Sequence, residues 1–157
     1  MNTDGSETRK AQVWFGITAT VTIGPGFLHK AEVGGIVMPH LPLTNWLLRI
    51  GLPESLNRDM SFSHEFAHFR TAPALLIYMT VLIVLSSATG HADWVKILFL
   101  LISGLAAWEI MCEGLVIFEG AAAYRKAYDG VSRIPRLLFW ATAGVFTASG
   151  WMVVLYR

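Results

Sequence analysis

The chain has 157 residues, 54% of them hydrophobic and 15% charged, with a net charge of +1 and a mean hydropathy of +0.52. Soluble domains carry about 25% charged residues, so this balance points to the lipid bilayer as solvent. It excludes a basic nucleic-acid binder, and with a single cysteine, Cys112, it excludes an internal disulfide and a cysteine-based zinc cage.

In chain order, 1–10 reads as a polar tail. Ala11–Leu28 is the first hydrophobic segment, a weak span that Pro25 ends or kinks. It lacks a small-x-small cleavage site and is read as retained rather than removed. The stretch 29–59, broken by Pro39, Pro42 and Pro53, reads as a loop with an interfacial helix and Trp46 at headgroup level. Asp59 or Ser61 is the expected cap of a helix over 60–87, with a kink or break at Pro73. A tight turn leads to a third hydrophobic helix over 94–119. The connector 120–136 is basic, and 137–156 forms a fourth helix with Trp140 and Trp151 near its ends. The expected fold class is all-α: one integral membrane bundle of about four transmembrane helices. Lys30, Arg49, Arg58, Arg70, Arg125, Lys126, Arg133 and Arg136 gather on one side. The positive-inside rule makes that side cytoplasmic.

The second helix opens with Ser63-His64-Glu65-Phe66-Ala67-His68-Phe69. Residues four apart share a helix face, so His64 and His68 can point ring nitrogens at one metal ion, with Glu65 about 100° round. Glu109 and Glu113 lie within the third helix and Glu119 at its end. A central Asp costs about 2.5–3.5 kcal/mol on insertion scales, so intramembrane carboxylates need partners. Counting outward from the turn of the helical hairpin brings Glu113 level with His68 and Glu119 level with His64. Glu109 falls about one turn deeper. A divalent cation would neutralise such a cluster.

His64-Glu65-Phe66-Ala67-His68 resembles the His-Glu-x-x-His signature of zinc metallopeptidases, and its place at the end of a span is similar to integral-membrane metalloproteases. The resemblance implies zinc bound by His64 and His68, Glu65 as general base, and a glutamate from the following helix as third ligand. Glu113 is preferred for that position, with Glu119 or Glu109 as substitutes. The site-2 proteases take instead an aspartate from an Asn-x-x-Pro/Leu-Asp-Gly motif, and Tyr128-Asp129-Gly130 lacks the preceding part. His29, His40, Arg70 and Tyr124 are candidates to stabilise an oxyanion. The expected function is thus a membrane-embedded zinc hydrolase, a protease, with its motif near the cytoplasmic face and lipid as its surroundings.

The competing expectation is a non-catalytic small subunit of a membrane complex or homo-oligomer, in which the His–Glu layer only joins helices. Such a subunit could hold haem, a quinone, a pigment or a di-iron centre. Glu65-Phe66-Ala67-His68 is one Glu-x-x-His unit, and the di-iron bundles need a second. Haem would use His64 or His68 with His29, His40 or His91. Cys112 and Trp108 read as packing residues.

Overall fold

From Thr18 to Ile23 polar and apolar residues alternate, the period of a strand and not of a helix. In the computed structural model, which describes residues 6–24, 29–33, 36–40, 52–88, 93–120, 122–131 and 133–155, this stretch is a strand. β1 (Glu7–Trp14), β2 (Ile17–Ile23), β3 (His29–Val33) and β4 (Ile36–His40) form an antiparallel sheet in sequence order. Lys10 lies opposite Thr20, Thr22 opposite Lys30 and Ala31 opposite Met38. Gly16, at φ 74°, makes the tight turn between β1 and β2 that a side chain would strain. Pro39, which has no N–H for a ladder, sits in the edge strand β4.

The protein is mostly helical beyond the sheet: α1 (Glu54–Ala88), α2 (Trp94–Glu119), α3 (Ala122–Gly130) and α4 (Arg133–Leu155). Three of these, α1, α2 and α4, are long and apolar enough to cross a membrane. The expected first span over 11–28 is therefore corrected to strands through Ile23. Its average hydrophobicity hid the alternation of Ala19, Val21 and Ile23 with threonines. The expected loop over 29–59 contains β3, β4 and the first turn of α1, while Trp46 lies outside the described residues. The helix also begins earlier than expected: the Asn57 amide donates to the Pro53 carbonyl at 2.9 Å. Asp59 and Ser61 are thus inside it, and the Ser61 hydroxyl donates back to the Asn57 carbonyl. At the start of α2 the Asp93 carboxylate caps the helix, accepting the Lys96 amide at 2.7 Å, while the expected turn over 89–92 lies outside the described residues.

The sheet packs on the outer part of α1. Val13, Ala19, Val21 and Ile23 are buried against Phe62 and Phe69, each large side chain contributing about 1.5–3 kcal/mol of burial. A polar bond at the Pro73 gap adds to this packing. Pro73 lies inside α1 without breaking it and leaves the Phe69 carbonyl without its donor four residues on. The Trp14 indole N–H, from the end of β1, donates to that carbonyl at 2.9 Å.

Deeper in the bundle Leu82 of α1, Leu100 of α2 and Val154 of α4 form a core with Tyr78 and Trp151. The Ser103 hydroxyl donates to the Thr147 carbonyl at 2.7 Å and lies 2.8 Å from the Tyr78 hydroxyl. Gly150 lets α4 approach there, since a Cβ on it would fall 2.5 Å from that of Ser103. Towards the outside Leu76, Ile77, Leu105, Leu137 and Val145 are exposed, as lipid-facing positions are.

Two outcomes follow. Gly150→Val should cost about 1–3 kcal/mol and lower the melting temperature in detergent, whereas Gly144→Val, where a Cβ meets nothing within 4 Å, should not. Trp14→Phe keeps the ring but loses the N–H. It should cost about 1–3 kcal/mol for the buried acceptor left unmet and raise protease sensitivity of the sheet.

Candidate metal centre

About two turns of α1 carry the motif, and the face containing His64 and His68 meets α2. The His64 ring stands between two carboxylates: Nδ1 lies 3.0 Å from Glu113 Oε2 and Nε2 lies 3.1 Å from Glu109 Oε2. The second histidine repeats this orientation. His68 Nδ1 is 3.1 Å from Cys112 Sγ, and Nε2 is 3.6 Å from Glu109 Oε1. Both rings thus turn Nε2 toward one carboxylate, while Nδ1 is held from behind.

The surroundings are shut off from solvent. His64 is 0% exposed, Glu113 1% and Glu109 14%. The rings of His64 and His68 meet edge to face at 4.7 Å, and Trp108 packs edge-on against His68 at 4.6 Å. The Trp108 indole donates to the Thr71 hydroxyl at 3.0 Å, and that hydroxyl lies 3.2 Å from Cys112 Sγ while donating to the Ala67 carbonyl at 2.8 Å. Thr71, Trp108 and Cys112 therefore form a polar brace behind His68.

Ligand atoms of His64, His68 and Glu109 all lie within 4.8 Å of one another, a group that could hold a metal ion. The Glu109 carboxylate faces both rings, with Oε2 3.1 Å from His64 Nε2 and Oε1 3.6 Å from His68 Nε2. A neutral imidazole has one N–H. His64, with a carboxylate at each nitrogen, needs either a second proton or a cation on its Glu109 side. Binding in that place would leave the Nδ1 proton for Glu113, the arrangement by which a carboxylate orients a metal-bound histidine.

The sequence-predicted residues separate into three groups. His64, His68, Glu109 and Glu113 come together, with Glu109 as the carboxylate shared by both histidines and Glu113 behind His64. Glu65 is buried, about 100° round α1 from His64 and beside the histidine face. Glu119 is not brought to the histidines: both guanidinium ends of Arg70 reach it, one at 2.7 Å, in an exposed pair. The same pair engages Arg70, one of the oxyanion candidates. His29 and His40 are opposite each other in β3 and β4, and His91 lies outside the described residues.

The level count goes astray for a geometric reason. Ser86–Lys96 and Tyr78–Ser103 contacts step evenly from the turn, as do Thr71 and Cys112. Beyond them His64 meets Glu113 and Glu109 instead of Glu119, scarcely further along α2 than the Cys112 that His68 meets, while Arg70 takes Glu119. Cys112 was the functional neighbour hardest to find; its spacing of three from Glu109 on one helix face was the available signal.

A groove of about 420 Å³ runs between β1, α1 and α2, lined by Gln12, Met60, Ser63, Arg70, Val116 and Glu119 among others. Its lining does not include the histidines or Glu65. Comparison with models of known families, with curated proteins and with solved structures finds no match for this chain.

The burial contrast is measurable by thermal unfolding in detergent. Glu113→Ala strands the Nδ1 side of a buried histidine and should cost about 3–5 kcal/mol. Glu119→Gln removes an exposed pair and should cost less than about 1 kcal/mol.

Proposed function

We propose that the protein is a membrane-embedded, zinc-dependent hydrolase, a protease, with its centre at His64, His68 and Glu109. The observation that carries this reading is the shared orientation of the two histidines: each turns Nε2 to one carboxylate and each has Nδ1 held by a separate group. Such outer partners fix ring orientation and raise ligand basicity. The ligand set of two histidines and a glutamate is one that catalytic zinc sites use, with a fourth position left for water. Relative to the sequence-based preference, Glu109 takes the third-ligand role and Glu113 orients His64.

His64, His68 and Glu109 would hold the zinc, which when bound would supply Lewis-acid polarisation and a water acidified to near neutral pH. Glu65, buried beside the histidine face, would be the general base, taking a proton from the attacking water and returning it to the leaving group. The apolar walls and Trp108 keep bulk water away from the histidines. We place the centre toward the cytoplasmic side. With Glu7–Ile23 in the sheet, Arg9 and Lys10 join Arg58, Arg70, Arg125, Lys126, Arg133 and Arg136 at the motif end. Among the described residues Lys96 remains as the basic residue at the other end.

Complete burial of His64 favours a second reading, a structural polar layer in a subunit of a membrane assembly. Metal analysis of the purified full chain in detergent separates the two. The hydrolase reading expects about one zinc per chain, lost in His64→Ala and in Glu109→Gln, and held about 10–100-fold more weakly in Glu113→Gln. Glu65→Gln should keep the metal while hydrolysis of fluorescein-labelled casein falls by about 10²–10⁴. Metal-free protein with unchanged folding and unchanged hydrolysis overturns it.

A further inference from the structure

The turn between β1 and β2 is chemically unlike a turn in water. Turns facing water favour Asn, Asp, Ser, Gly and Pro, but this one reads Trp14-Phe15-Gly16-Ile17, with Phe15 102% exposed and both neighbours of the turn exposed as well. Nothing in the sheet's own packing requires an aromatic residue there, since the buried face is made by Val13, Ala19, Val21 and Ile23.

Where this tip lies is fixed by contacts along α1. Arg9 pairs with Asp59 at 2.6 Å and Glu7 with Arg58 at 3.5 Å, while Trp14 reaches the Phe69 carbonyl. β1 therefore runs alongside α1 in the same direction. From Arg9 to Trp14 the strand advances about 16 Å at 3.3 Å per residue. From Asp59 to Phe69 the helix advances about 15 Å at 1.5 Å per residue. The matching lengths hold the whole strand against the helix and carry its tip to the level of Phe69 and Arg70.

That level is the rim of the apolar belt. The exposed Arg70–Glu119 pair marks its polar edge, and from Thr71 to Ala88 α1 has no charged residue. Those 18 residues rise about 27 Å, close to the ~30 Å hydrocarbon core of a bilayer. The charged end of the hairpin thus points away from the belt and the aromatic end adjoins it. Trp14 stands where interfacial aromatic side chains stand.

We propose that the β1–β2 turn is inserted into the bilayer, with Phe15 and Ile17 among the upper acyl carbons and Trp14 at the headgroup boundary. The partner is the phospholipid surface. The sheet is then a second membrane contact beside the spans, and through the Phe69 carbonyl it sets the depth and tilt of the motif portion of α1. The proposal rests on the membrane-crossing reading of the helices and not on the metal, so its test does not read metal or hydrolysis.

The test uses Phe15→Cys in the full chain, labelled with an environment-sensitive nitrobenzoxadiazole dye and reconstituted in phosphatidylcholine–phosphatidylglycerol vesicles. Native Cys112 is buried, and labelling of the unsubstituted chain gives the blank. Quenching by aqueous iodide is compared with quenching by lipids carrying a nitroxide at acyl carbon 5 or 12, with Lys10→Cys as the water-facing reference. Insertion predicts at least threefold less iodide quenching than at position 10 and stronger quenching from carbon 5 than from carbon 12. Ile17→Cys should give the same order. Iodide quenching equal to that at position 10 overturns the proposal. Shielding from iodide and lipid quenchers alike also overturns it, since protein and not lipid would then cover the turn.

Discussion

Ionisable side chains inside an apolar bundle are tolerated only when they satisfy one another, and here that constraint decides how α1 meets α2. His64 reaches Glu113 with one nitrogen and Glu109 with the other. Glu109 in turn faces His68, whose remaining nitrogen is on Cys112. The cost of a charged group in lipid is some kcal/mol per residue, so any sliding of one helix on the other that separates these groups is opposed by more than lost packing. The apolar cores to either side form around Met60 and Val116 and around Leu82 and Leu100.

Different chemistry governs the two faces of that same helical stretch. One face carries His64, His68 and Thr71 toward α2. The other carries Phe62 and Phe69 into the sheet. Glu65 falls between them. A helix sandwiched in this way keeps its histidines fixed from two directions, by the carboxylates in front and by an apolar sheet behind. Holding a set of ligands to within a fraction of an ångström requires such support, because a site is only as well defined as the groups that pack around it.

Much of the helical part was legible from sequence, for physical reasons that can be named. Long uncharged runs delimit α1, α2 and α4 because a bilayer accepts nothing else over that length. The gathering of Glu109 and Glu113 near the motif was legible because intramembrane carboxylates need partners. The sheet was misread: Thr18, Thr20 and Thr22 alternate with Ala19, Val21 and Ile23, and an average over the segment erases a period of two. The assignment among Glu109, Glu113 and Glu119 depended on which side chains reach one another, His64 to Glu113 and Glu109 and Arg70 to Glu119, and a count of levels does not contain that. Arg70 claims Glu119 because its long side chain reaches outward along the helix, a reach that sequence spacing does not express. Cys112 was legible as buried but not as the neighbour of His68.

The Phe69 carbonyl gives the chain an order in time. Its acceptor position is filled by a residue 55 positions earlier, made before the helix it completes. When the β1–β2 hairpin leaves the ribosome it has no surface to dock on, because Phe62 and Phe69 have not yet been synthesised. Within α1 the Phe69 carbonyl is left open, because Pro73 has no N–H to offer it. Docking of the sheet is then a separate, later event, and closing the gap opposite Pro73 is its chemical record. An isotope-shifted amide vibration at that single carbonyl would therefore distinguish a chain that has merely been inserted from one that has finished folding.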